Sequence, residues 1–267
     1  MTAAFMLILA LETSSVRGSL ALFSGGTCLR ETFFPEGLLH GREITAHLDA
    51  LLKAEGLAPG SLDAISVSVG PGSYTGIRVG VTAAKSLAYS LGLPVVTESS
   101  LRVLAGNAVV EGGEDIRLAV VLDGRQKFLY GALFDVQPRL WKRNPRASDC
   151  LGWEEAVVKR LKNDEVHEAA DLASSFKERF AGLGGSPRRA LVIGDGAAKF
   201  LNEITSQGGS KPFERGPSEW DVPKASVLGS LTAQRALEAR FQLEAIHRLE
   251  PAYLRVTEAE RKLGEKT

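Results

Sequence analysis

An internal repeat constrains this chain more than any other feature of its sequence. Leu7-Ile8-Leu9-Ala10-Leu11-Glu12-Thr13-Ser14-Ser15 leads to Leu20-Ala21-Leu22-Phe23, and Leu118-Ala119-Val120-Val121-Leu122-Asp123-Gly124-Arg125 leads to Gly131-Ala132-Leu133-Phe134. At one offset Leu11 falls over Leu122, Glu12 over Asp123 and Ala-Leu-Phe over Ala-Leu-Phe. Each copy reads as an apolar strand ending in a carboxylate, a short polar turn and a second strand. A near-continuous apolar run suits a strand buried on both faces, and the turn residues suit a hairpin rather than a crossover helix. Any two hairpins share some of this grammar, but an acid at the same strand end in both copies favours duplication of a domain. A length of 267 residues accommodates two such domains. The boundary belongs in the polar Gly112-Gly113-Glu114-Asp115 stretch, giving a first domain over 1–112 and a second over 113–267.

Beyond each hairpin, the pattern predicts alternating helices and strands. In the first half it gives a strand over 27–34, a helix over 40–55 with Ile44, Leu48, Leu51 and Leu52 at helical spacing, and a strand over 64–69. A helix over 74–91, a strand over 94–97 and a helix over 99–109 follow. In the second half it gives strands near 118–123 and 127–136, a helix over 153–162, a Gly-rich loop over 181–189 and a strand over 190–193. A long helix over 224–243 packs back across both domains, and a charged tail begins at Glu258.

The strongest local motif is Gly70-Pro71-Gly72-Ser73-Tyr74-Thr75-Gly76-Ile77-Arg78-Val79-Gly80, a strand entering a Gly-rich turn that opens a helix. Such a turn can offer backbone N–H groups to an anion, or can simply be a tight turn with Ser73 or Thr75 as helix cap. It is neither a P-loop nor a dinucleotide fingerprint, because both spacings fail. Gly76, Gly80, Ala84 and Ala88 recur every fourth residue and lay a stripe without bulky side chains along the helix. That stripe packs either on the chain's own sheet or, together with Ile44, Leu48 and Leu51 of the preceding helix, on a second chain. Glu12 and Asp123, with Gly194 and Gly196 of Gly194-Asp195-Gly196-Ala197-Ala198, are candidate nucleotide-binding residues across a cleft between the halves. The plain alternatives are a strand-end acid and a strand-to-helix turn.

Other chemistries are disfavoured. His40, His47, His167 and His247 form no HxxxH or HExxH pair, Cys28 and Cys150 supply no thiolate pair, and there is no GxSxG elbow, so no metal site is expected. Lys+Arg and Asp+Glu are both 32, so no bulk field draws the chain to nucleic acid or an anionic membrane. The clusters Trp141-Lys142-Arg143 with Arg146, and Arg188-Arg189, are the local candidates for RNA contact. Phe5–Leu11 is too short to span a bilayer and lacks a basic leader, and the low cysteine content fits a reducing compartment; the expectation is a cytoplasmic protein that touches no membrane.

Residues 7–135 resemble the TsaB (YeaZ-type) family of bacterial tRNA threonylcarbamoyladenosine biosynthesis. The resemblance rests on Ile8-Leu9-Ala10-Leu11-Glu12-Thr13-Ser14, on His40 with Glu43 and Leu48-Asp49-Ala50-Leu51-Leu52, and above all on Gly70–Gly80. Asp123-Gly124-Arg125 with Tyr130 resembles the start of the family's second domain, and Pro251-Ala252-Tyr253-Leu254-Arg255 its C-terminal signature. Residues 137–189 and the tail after Arg255 match poorly. The resemblance implies a duplicated actin-like (ASKHA, ribonuclease-H-like) α/β fold and a non-catalytic scaffold that binds the catalytic paralogue TsaD alongside the ATPase TsaE. It implies a homodimer when alone, tRNA met only through the complex, no cofactor of its own and ATP/ADP handled at the level of the complex. The paralogue's metal-binding histidines would fall on Ser100 and Leu104, and Glu12 stands where the family has Asp. Two rivals stand against this reading: an autonomous ATP-dependent kinase or carbamoyltransferase using Glu12, Asp123 and the Gly194–Ala198 turn, and a tRNA-binding adaptor acting through Trp141–Arg146.

Overall fold

In a computed structural model of the chain, residues 6–35, 41–111, 114–138, 157–183, 189–208 and 212–255 are described. The expected Gly112-Gly113 boundary, the Trp141–Arg146 cluster, Cys150, His40, Arg188 and the tail from Glu258 lie outside them. The first half forms β1 (Leu7–Glu12), β2 (Ser19–Ser24), β3 (Thr27–Phe33), α1 (Gly41–Ala54), β4 (Ala64–Ser68), α2 (Tyr74–Leu91), β5 (Val95–Glu98) and α3 (Ser100–Glu111). The second forms β6 (Ile116–Asp123), β7 (Phe128–Val136), β8 (Val158–Glu168), α4 (Ala169–Gly182), β9 (Ala190–Ile193), α5 (Ala197–Ser206), β10 (Glu214–Arg215) and α6 (Ala225–Glu238). A short α7 (Leu243–Arg248) follows.

The two halves have one topology. The first sheet has the order β3-β2-β1-β4-β5 and the second β10-β9-β6-β7-β8. In each, the opening strand pairs antiparallel with its hairpin partner and parallel with the strand after the first helix. The repeat read from the sequence is therefore a repeat of strand, hairpin and crossover, and the fold is the duplicated actin-like α/β architecture.

Alternation along the central strands sorts the side chains into layers, since successive residues face opposite sides of a sheet. Leu7, Leu9, Leu11, Leu20, Leu22, Ile65 and Val67 face α1 and α2 on the outside of the first sheet. Ile8, Ala10, Ala21, Phe23 and Ala64 face inward. There they meet α3 and α6, which also receive Leu118, Val120, Leu122 and Phe134 from the second sheet. Ala119, Val121, Leu133 and Val192 point outward to α4 and α5. Because both faces of β1 and β6 are covered, their apolar runs are uninterrupted. Small residues on the inner face let α6 approach: Gly229 lies directly against the Phe23 ring, and Ser66 Oγ is 2.7 Å from Thr232 Oγ1.

Three expectations are corrected. The helix expected over 153–162 is strand β8 across its described part, paired with β7 at the edge of the second sheet. Its charged residues stay half in solvent while Lys159 lies opposite Asp135 and the Arg160 guanidinium lies 5.1 Å from the Phe134 ring centroid, so pairing with β7 overrides a helix-like composition. The long helix over 224–243 stops at Glu238, where Arg240 Nη1 turns back onto the carbonyls of Leu237, Glu238 and Ala239 at 3.2, 3.3 and 2.8 Å. The loop expected from 181 starts later, since α4 runs through Gly182 with Leu172, Ala173 and Phe176 on its buried face.

Candidate functional site

The Gly70–Gly80 motif closes onto the chain itself. After β4 the chain turns through Gly70, a cis Pro71 and Gly72, and Ser73 caps α2 by accepting the Gly76 N–H at 3.3 Å. A side chain on Gly72 would begin 2.3 Å from the Ser14 carbonyl oxygen, and one on Gly80 2.1 Å from Thr13 Oγ1. Into that space the loop after β1 is docked by two bonds, Ser73 N–H to Ser14 O at 2.7 Å and Thr13 Oγ1–H to Gly76 O at 2.8 Å. The glycines are thus needed for close approach of Thr13-Ser14.

The four residues expected near a nucleotide lie at strand ends and in the turn before α5. Glu12 is fully buried at the end of β1; its Oε1 accepts the N–H and O–H of Ser14 at 2.7 and 2.6 Å, and burial pushes its carboxyl above the ordinary range. Asp123 is exposed at the end of β6, where Oδ1 accepts the Arg125 N–H at 3.1 Å and faces Lys199 Nζ at 3.4 Å. Gly194 and Gly196 lie close against β6, since a Cβ on them would stand 2.2 Å from Val121 O and 2.9 Å from the Leu122 carbonyl carbon. Both glycines seat α5 against the sheet. Among the described residues no three His, Cys, Asp or Glu side chains converge as a metal site. Ser100 and Leu104 are fully buried in α3.

The small-residue stripe is also consumed internally. Gly76, Gly80, Ala84 and Ala88 are the buried face of α2, with Ala84 and Ala88 packed in the core outside the first sheet and Gly80 on Thr13. Of the two placements open to the stripe, this structure shows the one on the chain's own core. Ile44, Leu48 and Leu51 are buried too, and Ile44 and Leu48 form the floor of a groove of about 440 Å³ between α1 and α2. Its α2 wall is the neighbouring stripe, about 100° round the helix: Val79, Ala83 and Leu87 half-buried, Arg78, Thr82, Ser86 and Ser90 exposed. The signal for this wall was in the sequence, since 79, 83 and 87 recur every fourth residue as the glycines do, but the glycines masked it.

Duplication allows the two helix pairs to be set side by side. In the second domain the equivalent helices are α4 and α5, and their aromatic rings pack in the core against the sheet: Phe176 and Phe200 stand 5.6 Å apart, and Phe213 lies 5.6 Å from Phe200 and 5.2 Å from Phe180. Between α1 and α2 the groove stays open, with Ile44, Leu48, Val79 and Leu87 as its larger apolar residues beside Ala83 and the Ser and Thr side chains.

The model of the family "TsaD: tRNA N6-adenosine threonylcarbamoyltransferase" matches residues 37–263. The tRNA threonylcarbamoyladenosine biosynthesis protein TsaB of Bacillus subtilis is 29% identical over 257 residues, 96% of this chain and 97% of that protein. The protein of the same name from Escherichia coli is 28% identical over 170 residues, 61% of this chain and 65% of its own length. Among solved structures, YeaZ from Pseudomonas aeruginosa superposes with a TM-score of 0.68 at 21% identity, covering 94% of this chain and 100% of that one, which shows a shared fold. The chain belongs to the tRNA N6-adenosine threonylcarbamoyltransferase (TsaD) family and, within it, to the TsaB (YeaZ-type) group.

Proposed function

We propose that the chain is the non-catalytic partner subunit of the machinery that makes threonylcarbamoyladenosine in tRNA, and that it docks the catalytic paralogue TsaD in the groove between α1 and α2. One observation carries this reading: α1 and α2 leave between them a groove of about 440 Å³ over an apolar floor of Ile44 and Leu48. A half-buried apolar strip of Val79, Ala83 and Leu87 with an exposed polar edge has the anatomy of a helix-docking surface. The same surface joins two copies of this chain when the paralogue is absent. The ATPase TsaE joins the complex, ATP and ADP act there rather than on this chain alone, and tRNA is met through the complex. The buried Glu12, held by Ser14, supports a scaffold over an autonomous nucleotide enzyme.

The test follows labelled threonine into tRNA with ATP, bicarbonate, the adenylate-forming enzyme, TsaD and TsaE, with and without this chain. Incorporation that needs both this chain and TsaD, and that falls with Ala83→Glu, supports the reading. Incorporation with this chain in place of TsaD would overturn it in favour of an autonomous transferase. Salt-dependent tRNA binding by this chain alone would favour an RNA adaptor.

A further inference from the structure

The described chain ends on a segment that touches both domains. Lys85 Nζ on α2 takes the carbonyls of His247 and Leu249 at 2.9 and 3.0 Å, placing the end of α7 on α2. From there Pro251–Arg255 crosses the Gly70-Pro71-Gly72 loop, with Ala252 N–H donating to Val69 O at 2.8 Å. Tyr253 lies 5.4 Å from Tyr74, and its hydroxyl accepts Arg78 Nε–H at 2.7 Å while the Arg78 guanidinium covers the Tyr74 ring at 4.3 Å. Two residues later the chain is held by the second domain. Arg255 Nη1 donates to Gly124 O at 2.9 Å, and its guanidinium stands 4.0 Å from the Phe128 ring centroid.

The β6–β7 turn that receives Arg255 is strained, with Arg125 and Gln126 at φ 64° and 53°, consecutive non-glycine residues in the left-handed region. It is held shut by Gly124 N–H to Phe128 O and Phe128 N–H to Arg125 O, both at 3.1 Å, by Lys199 on the Phe128 carbonyl at 3.3 Å, and by Arg255. At the other end, Arg78 both holds Tyr253 and lines the groove between α1 and α2.

We propose that Pro251–Arg255 is a latch through which a partner in the α1–α2 groove tightens the β6–β7 turn of the second domain. The inference rests on the groove being the partner site. A partner seated there shields Arg78 from water, which strengthens its bond to Tyr253 and its stacking on Tyr74, because the same polar contacts are worth more at lower local dielectric. Fixing Tyr253 fixes the backbone two residues before Arg255, and Arg255 then holds the strained turn.

Amide hydrogen exchange of the full chain, free and saturated with the catalytic paralogue, tests it. In the free protein, Arg255→Ala should speed exchange at Gly124 and Phe128 by about ten-fold, since a charged donor leaves the turn. Tyr253→Phe keeps the ring and Arg255, and should leave the free rate unchanged. On adding the paralogue, turn exchange should slow several-fold in wild type and in neither variant, while α2 amides become protected in all three. Unchanged or faster turn exchange in wild type, with α2 protected, overturns the latch and leaves the groove reading standing. An α2 that gains no protection removes the groove reading, and the coupling with it. Circular dichroism and melting of both variants verify that they fold, and a turn that is equally protected in wild type and Arg255→Ala also overturns the latch.

Discussion

Glu12 sits fully buried at the end of β1, with the Ser14 and Ser68 hydroxyls beside its carboxyl. Burial raises its pKa above 4.5, and the Ser14 hydrogen bonds only partly offset this. Below pH 4.5 the folded and unfolded chains both carry the proton. As pH rises above it the unfolded chain ionises first, so stability falls until the folded-state pKa is passed, by at most about 1.4 kcal/mol per pH unit. Glu12→Gln, permanently neutral and still able to accept from Ser14, should therefore be more stable than wild type near neutrality, and the advantage should shrink as pH falls toward 4.5. Urea unfolding at several pH values checks this, and a pH-independent difference would contradict it. Gly80→Ala makes a second residue-scale prediction. Its Cβ would overlap Thr13 Oγ1, so the Thr13–Gly76 bond must give way, at a loss of about 2 kcal/mol in the same assay. The stripe containing Gly80 was legible in the sequence, but its partner was not: spacing shows which face is small, while only the folded chain shows that Thr13 occupies the space.

At the scale of elements, α1 and α2 carry two faces with different work. The inner face builds the core outside the first sheet and the outer one walls the groove. Ala83→Glu should weaken partner binding by ten-fold or more, as a buried charge without a partner does, and should change the melting temperature little, since the longer side chain reaches solvent from a half-buried position. Calorimetry with the paralogue measures the first and thermal unfolding the second. A different outcome is expected where β5, α3 and α6 meet. Glu98 is 8% exposed, and its Oε2 takes Arg102 Nη1 at 2.9 Å and Arg235 Nη2 at 2.5 Å, while Oε1 takes Ser99 N–H at 2.9 Å. Glu98→Ala strips the buried Arg102 of its carboxylate and should lower unfolding free energy by about 3–5 kcal/mol. Element legibility followed burial. Helix α2 matches its expected bounds because Ser73 caps one end and Gly92, at φ 67°, ends the other. Strand β8 was missed because its order comes from β7 rather than from its own polar residues.

For the whole molecule, the two domains share their middle layer. Helix α3 comes from the first half and α6 from the second, and both fill the space between the sheets. Helix α6 is tied to the first sheet by Ala225 N–H to Ser19 Oγ at 2.8 Å, Ser226 to Glu31 at 3.0 and 2.7 Å, and Thr232 to Ser66. Residues 1–112 expressed alone would expose Ile8, Ala10, Ala21 and Phe23 to water and should fail to give a cooperative unfolding transition. Adding residues 212–255 in trans should restore one. The intact chain should unfold in a single calorimetric step, and two resolved steps would mean that the shared layer does not couple the halves.

The sequence by itself determined the duplication, the strand–hairpin grammar of each half and the family, because these reside in local alternation and in a motif whose residues are contiguous. Tertiary structure decided what those residues do. It filled the space beside the Gly70–Gly80 turn with Thr13 and Ser14, buried Glu12, turned the small-residue stripe inward, and left open the neighbouring stripe of Val79, Ala83 and Leu87. The physical reason is one of range. Periodicity records which side chains share a face, whereas the occupant of the space beyond that face comes from segments tens of residues away, as Thr13 does for Gly76, and no local pattern encodes it.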